Sequence, residues 1–156
     1  MSSSNLQVLN ILLERAESER DEALRLFQEA DKRAAHARNQ HGELNQYRSD
    51  YQQRWSQQFA TRGTMDIVTC YQTFGGKLDE AITSQGHVAQ HADQRMNVAR
   101  DKLREAEMRV ASIAKLIERR RLESSRAAQR QEQKACDEQA ARSAASAYNP
   151  FVRLSA

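Results

Sequence analysis

The sequence is poor in the residues that interrupt helices and in those that fill large cores. It contains 5 glycines and a single proline among 156 residues, and aromatic side chains make up only 6% of the chain. β-Sandwiches and α/β sheets need many turns, which draw on Gly and Pro. Hydrophobic residues account for 39% of the chain and charged residues for 29%. The composition therefore argues against a globular enzyme with a deep pocket and favours long helices.

Long apolar runs and closely spaced cysteines are missing as well. No stretch approaches the length of about 18 apolar residues that spans a membrane. The first residues lack the basic start of a signal peptide, and Asn10 interrupts their apolar stretch. Cys70 and Cys136 lie too far apart along a continuous helix to pair within one chain. We therefore expect a cytoplasmic protein in a reducing compartment, without a transmembrane segment.

What the chain does have is a seven-residue repeat of apolar positions in each half. Alternating steps of three and four pick out fifteen positions per half, and twelve of the fifteen are apolar in both halves. A repeat sustained over about seven heptads is typical of a coiled coil. The first series is Leu6, Leu9, Leu13, Ala16, Arg20, Ala23, Phe27, Ala30, Ala34, Ala37, His41, Leu44, Arg48, Tyr51 and Trp55. The second is Tyr71, Gly75, Leu78, Ile82, Gln85, Ala89, Ala92, Met96, Ala99, Leu103, Ala106, Val110, Ile113, Ile117 and Arg120.

The two series are separated by a break around Gly63. We expect Gly63 to end the first helix in a left-handed conformation and Thr64 to cap the second. Position numbers that face each other across this turn sum to 126, as 27 and 99 do. The pattern predicts an all-α fold, in which two long helices form an antiparallel coiled-coil hairpin. A parallel dimer of unbroken helices is the structural alternative.

The predicted boundaries follow from the same pattern. Residues 1–147 form the coiled coil, with helix 1 over about 4–60, the hinge at 61–65 and helix 2 over about 66–142. Helix 2 overhangs its partner beyond about residue 121, and residues 148–156 form a flexible tail. Two adjacent glycines, Gly75-Gly76, lie within predicted helix 2, where each destabilises the helix relative to alanine. They either make room for the facing Tyr51 or mark a kink or a later start of the helix. His41 and Gln85 should face each other on the seam.

Charge and aromatic residues are unevenly distributed. Residues 109–134 carry a net charge of +5, whereas residues 14–31 carry −4. The basic stretch suits nucleic acid, an acidic protein collar or simply solvent, and its lack of aromatic residues argues against nucleic acid. Six of the nine aromatic residues flank the hinge, where a thin two-helix structure cannot cover all of them.

Catalytic and cofactor motifs are absent from the sequence. There is no Gly-rich phosphate loop and no nucleophile with a matching base. His87 and His91 share a helix face, but no third ligand stands at a recognisable spacing, so we expect no metal. The expectation is a non-enzymatic protein without cofactors.

Several short stretches resemble the FliJ family, the small coiled-coil component of the bacterial flagellar type III export apparatus. The matching stretches are 44–51 (LNQYRSDY), 71–74 (YQTF), 78–82 (LDEAI) and 132–138 (EQKACDE). Together with the two-helix layout, the resemblance extends to about Ala145. It implies a fold similar to the shaft subunit of rotary ATPases. It also implies a cytoplasmic stalk, peripheral to the membrane at the flagellar base, that supports flagellum biogenesis and motility.

The resemblance also implies partners and surfaces. Family members insert into the hexameric export ATPase and promote its activity, contact the cytosolic linker of the export-gate membrane protein, and escort export chaperones. The gate-binding patch carries over to Gln40, Leu44, Tyr47, Tyr51, Phe74, Leu78, Ala81 and Gln85. The family usually has His where Gln85 stands, and a non-Gly pair where Gly75-Gly76 stands. We assign the ATPase-facing tip to Arg119, Arg120, Arg121, Arg126, Arg130, Lys134, Asp137 and Glu138.

The patch also has support from spacing alone. Both of its strips advance by four, three and four residues, and facing members such as 40 with 85 sum to 125. Tyr47 and Phe74 lie off the core series and should be exposed. The leading hypothesis is the flagellar export stalk. The alternatives are an injectisome homologue of this stalk and a basic coiled-coil scaffold or nucleic-acid-binding protein.

Overall fold

Two long α-helices make up the part of the chain that the structure, a computed structural model, describes, namely residues 2–148. Helix α1 spans Ser2–Thr61 and helix α2 spans Met65–Ala147, with three residues between them. They form an all-α helical hairpin, so the predicted fold is confirmed and the parallel dimer of unbroken helices is excluded. Helices of this length follow from the scarcity of Gly and Pro and from the unbroken heptad repeat.

The connection between the helices needs no unusual backbone. The amide of Arg62 donates a hydrogen bond to the carbonyl oxygen of Gln58 at 2.8 Å, which prolongs the last turn of α1. The carbonyl oxygen of Thr64 accepts from the amide of Val68 at 3.2 Å, as expected at a helix N-cap. The prediction of a left-handed Gly63 is wrong, because no residue in the described range has a positive φ. A Cβ atom at Gly63 would meet the Phe59 carbonyl oxygen at an ordinary 3.5 Å.

The larger of two compact units, Glu17–Met108, contains the turn and the adjoining parts of both helices. Within it, every position of the two heptad series is buried or half-buried. The buried members are Ala34, Ala37, Gly75, Leu78, Ala89, Met96, Leu103 and Ala106. Alanine is frequent among them because two helices alone enclose only a narrow seam. The antiparallel register is visible in contacts such as that between the rings of Trp55 and Tyr71, 5.6 Å apart.

The smaller unit combines the described residues 2–16 and 109–148. Ala16 and Ile117 are its buried residues, and Leu13 lines a shallow groove together with Ile117. Every residue from 118 to 148 is exposed. The predicted tail, 148–156, lies outside the described residues except for Tyr148, whose amide donates to the carbonyl oxygen of Ala144 at 3.1 Å.

The interior glycines of α2 do not interrupt the helix. Helix α2 runs through Gly75-Gly76 without a break, so no second helix starts there. A Cβ atom at Gly75 would lie 3.6–3.7 Å from the guanidinium of Arg48, whose atoms are its three nearest neighbours. That Gly75 also makes room for Tyr51 stays a prediction. Arg48 occupies this space because it stands at a core position of the heptad repeat.

His41 and Gln85, which were expected to face each other, each have an observed neighbour on the other helix. His41 approaches Gly86, where a Cβ atom would lie 3.3 Å from the imidazole Nε2. The side chain of Gln85 instead donates from Nε2 to Oε1 of Gln40 at 3.1 Å. Two chemically similar amides thus satisfy each other across the seam, while the imidazole faces the position that lacks a side chain.

Candidate functional site

The seam between the helices of the larger unit has two sides that differ in chemistry. In heptad notation the core residues are positions a and d, and positions e and g flank them on opposite sides. Because the helices are antiparallel, the e positions of both share one side and the g positions share the other. We call these the closed side and the open side. Arg38 and Asp93 are e positions, whereas Tyr47 and Phe74 are g positions.

On the closed side, Arg48 links the helices next to the aromatic residues. Its Nε donates to Oδ1 of Asp79 at 2.8 Å, and its Nη2 donates to Oδ2 at 3.4 Å. The hydrogen bond to this carboxylate raises the pKa of Arg48, so the guanidinium stays charged. Its Nη1 is buried without a hydrogen-bond partner among the described residues. The pair therefore stabilises the hairpin less than a fully satisfied one.

Two further contacts cover the closed side toward the middle of the unit. Nη1 of Arg38 lies 3.1 Å from Oδ1 of Asp93 on the facing helix. The guanidinium carbon of Arg100 lies 5.6 Å from the ring centroid of Phe27, within the range of a cation–π contact. Each contact joins α1 to α2, so this side of the seam is crossed by charged side chains.

An aromatic cluster lies between the seam and the hinge. Tyr51 is at its centre, with ring centroids of Phe74 at 4.8 Å and Tyr71 at 5.5 Å. The rings of Trp55 and Tyr47 follow at 5.8 and 6.5 Å. Removal from water among these rings raises the pKa of Tyr51. Contacts of this geometry hold each ring in place, so the cluster presents a fixed surface.

The eight residues of the proposed gate-binding patch all belong to the larger unit and occupy its d and g positions. Leu78 is buried, at 7% exposure, whereas Tyr47 and Phe74 are 51% and 42% exposed. The structure joins the two strips through the contact of Tyr51 with Phe74 and the hydrogen bond between Gln40 and Gln85. The half-buried members are Leu44, Tyr51 and Gln85, and the remaining exposed ones are Gln40 and Ala81.

A long groove on the open side continues from this patch toward the other end of the unit. Gln40 belongs to both surfaces, and the groove then follows α1 back to Ala23 and α2 forward to Lys102. Its apolar residues include Leu26, Val88 and Val98, which are 45%, 52% and 54% exposed. This groove was not predicted from the heptad repeat, whose core positions are a and d. The signal was present at the neighbouring c and g positions, where these three apolar residues stand.

The proposed ATPase-facing tip lies in the smaller unit. All eight residues are on α2 and are exposed; they are Arg119, Arg120, Arg121, Arg126, Arg130, Lys134, Asp137 and Glu138. Their contacts are weak and local. Arg120 lies 3.9 Å from Glu123, and Nε of Arg130 donates to the carbonyl oxygen of Arg126 at 3.4 Å. Most of these side chains are thus available to solvent or to a partner.

Metal-binding side chains do not cluster in the described part of the chain. Within residues 2–148 no three His, Cys, Asp or Glu side chains are placed to hold a metal ion. His87 and His91 line the open groove together with His36 from the other helix. Cys70 and Cys136 are both free and exposed.

None of the described helices has an 18-residue window apolar enough to cross a membrane. The family model described as Flagellar FliJ protein matches residues 5–148, nearly the whole chain. No curated protein and no solved structure matches the chain. The chain therefore belongs to the FliJ family and is a protein related to flagellar export.

Proposed function

We propose that this member of the FliJ family is the stalk of the flagellar type III export apparatus. In this proposal the chain inserts into the hexameric export ATPase and promotes its activity. It also contacts the cytosolic linker of the export-gate membrane protein and escorts export chaperones. The protein acts in the cytoplasm, at the inner face of the membrane at the flagellar base. The protein acts by binding and carries out no chemistry of its own.

The observation that supports the gate contact is the exposure of ordered aromatic rings on one side of the hairpin. Tyr47 and Phe74 each rest on Tyr51 and still expose about half of their surface. Rigid, half-exposed aromatic side chains contribute strongly to protein interfaces, because little conformational entropy is lost when they are covered. A partner that covers both rings would also cover Ala81, the small exposed residue of the same strip.

The support for the ATPase contact is the exposed basic segment of α2. Arg119, Arg120 and Arg121 are consecutive and exposed. Within residues 2–148, Arg120 alone among them has a carboxylate within 4 Å, that of Glu123 at 3.9 Å. Arginine forms bidentate hydrogen bonds with carboxylates, which suits an acidic collar on a protein partner. The exposed single helix beyond residue 118 leaves room for a ring of subunits around it.

The test of the gate contact is a double substitution of the two exposed rings. Tyr47→Ala with Phe74→Ala should abolish binding of the purified gate linker and abolish motility, while circular dichroism shows unchanged helicity. The matched control is Gln46→Ala with Thr73→Ala, which changes the exposed neighbours that face away from the patch. Binding of wild-type strength by the ring variant would refute the patch.

The ATPase contact is tested separately. Reversal of Arg119, Arg120 and Arg121 to Glu should weaken stimulation of the export ATPase and leave linker binding intact. If stimulation is unchanged, the ATPase contact lies elsewhere on the chain. Salt-dependent binding of DNA or RNA without any binding to the ATPase would replace the stalk proposal with that of a nucleic-acid-binding coiled coil.

A further inference from the structure

The groove on the open side has no part in the stalk proposal. It lies between Ala23–Gln40 of α1 and His87–Lys102 of α2, a length of about 25 Å at 1.5 Å per residue. On the opposite side of the seam, this same stretch is crossed by the Arg38–Asp93 pair and by Arg100 over Phe27. The two helices are therefore bridged along one side and leave apolar side chains uncovered along the other.

The shape of the groove suits a third helix. Its floor consists of alanines at d positions, among them Ala30, Ala37 and Ala92. These small side chains let another backbone approach, because helix axes 8–10 Å apart need short residues at the contact. Leu26 and Val98 stand on the two walls, each about half exposed. An apolar stripe laid between these walls would complete a three-helix bundle.

The charge around the groove specifies which helix would fit. Arg33, Arg95 and Lys102 line it and make no ion pair within the described residues. The lining carboxylate, Glu29, is already paired with Arg25 at 2.7 Å. The rim thus carries an uncompensated positive charge, which attracts an acidic helix and repels a basic one. Two copies of this chain packed groove to groove would bring the same cations together, which disfavours a symmetric dimer.

From these observations we propose that the open groove binds one amphipathic helix of a partner protein. An apolar stripe of that helix lies on the alanine floor between Leu26 and Val98. Its flanking acidic residues pair with Arg33, Arg95 and Lys102. The inference does not depend on the stalk proposal, because the groove begins where the gate-binding patch ends and shares only Gln40 with it.

The experiment measures binding of a designed peptide to the full chain by fluorescence anisotropy. The probe is a fluorescein-labelled peptide of about 18 residues, long enough for the groove, with Leu along one stripe and Glu on both flanks. A second peptide keeps the Leu stripe and carries Lys on its flanks. We expect the acidic peptide to bind at least about tenfold more tightly than the basic one, because like charges across an interface oppose association.

Charge reversal on the protein places the peptide in the groove. Arg33→Glu with Arg95→Glu should weaken binding of the acidic peptide at least about tenfold. Lys32→Glu with Arg104→Glu alters the net charge equally on exposed residues that do not line the groove, and should change affinity by less than about twofold. Equal losses in the two variants, or no binding of the acidic peptide to the wild type, would overturn the proposal.

A second measurement distinguishes the peptide from a second copy of the chain. Sedimentation of the free protein should show a species whose mass does not change with concentration. A dimer that dissociates when Val88 and Val98 are changed to Lys would mean that another copy covers the groove, which also overturns the proposal. A photo-reactive residue in place of Val98 should cross-link to the acidic peptide, and one in place of Arg104 should not.

Discussion

The closed and open sides of the hairpin share one core and differ in what covers it. On the closed side Arg48 and Asp79, and farther along Arg38 and Asp93, join the helices by charge-assisted hydrogen bonds. On the open side the g positions carry Tyr47, Phe74, Val88 and Leu26, all at least two-fifths exposed. Charged side chains thus cross the seam on the closed side, whereas the open side leaves apolar surface exposed.

The difference shows how a two-helix protein can be stable and still leave apolar surface exposed on one side. Its seam is too narrow to bury large side chains fully, and none of the described ones is fully buried. Polar links on one side therefore add to the stability that the thin core provides. Exposed apolar residues are a liability in an isolated protein, so their concentration along one strip supports the proposal that a partner covers it.

The largest expected loss of stability comes from a core residue, and it should exceed the loss from an exposed residue of the open side. Leu78→Ala should cost about 2–4 kcal/mol of unfolding free energy, because Leu78 is buried. Phe74→Ala, one turn away and exposed, should cost about 1 kcal/mol, mainly through lost ring contacts with Tyr51. Urea denaturation followed by circular dichroism measures both. Equal losses would mean that the open side is part of the core.

Arg48 tests what the closed side contributes. Arg48→Ala removes the pair with Asp79 and the packing of the arginine stem, so we expect a loss of about 1–2 kcal/mol. Arg54→Ala is the matched control on an exposed arginine without an ion pair in the described range, and should stay within about 0.5 kcal/mol. If the two variants are equally stable, the closed side does not hold the helices together.

Glycine substitutions examine how tightly each position is packed. Gly76→Ala should stabilise α2 by about 1 kcal/mol, because Ala is the better helix former and nothing lies within 4 Å of the new Cβ. Gly86→Ala should gain less, since its Cβ would meet the imidazole of His41 at 3.3 Å. Melting temperatures in one buffer give the order. A greater gain at Gly86 would mean that His41 does not rest against this position.

The smallest expected effect on stability comes from changing one arginine to glutamine on the closed side or on the open side. Arg38→Gln breaks the closed-side pair with Asp93 and should cost about 0.2–1 kcal/mol at low salt, shrinking as salt screens the pair. Arg33→Gln on the open side should leave stability unchanged at any salt concentration, because Arg33 has no ion pair within residues 2–148. A salt-dependent loss at Arg33 would show that both sides are bridged.

The sequence was sufficient for the fold because a heptad repeat specifies which residues of each helix face the other. Every core position of the larger unit, including the polar Arg20 and Arg48, is buried or half-buried. The turn was also foreseeable, since Gly63 and Thr64 interrupt the repeat. The backbone of Gly63 was not, because three residues connect these helices without any positive φ.

The finer features of the site depend on register that a heptad cannot give. A repeat does not show which atoms a side chain contacts: His41 approaches Gly86, and Gln85 donates a hydrogen bond to Gln40. The atoms nearest to Gly75 belong to the guanidinium of Arg48, which the repeat alone did not indicate. The groove lined by Leu26 and Val88 was missed because its walls stand outside the core positions.

The most direct test of the central claim is site-specific photo-cross-linking to the purified export-gate linker. Benzoylphenylalanine would replace Tyr47 or Ala81 on the open side, and Asn45 or Gln72 at exposed e positions of the closed side. We expect cross-links from positions 47 and 81 and none from positions 45 and 72. Cross-links of equal yield from both sides, or from the closed side alone, would contradict it.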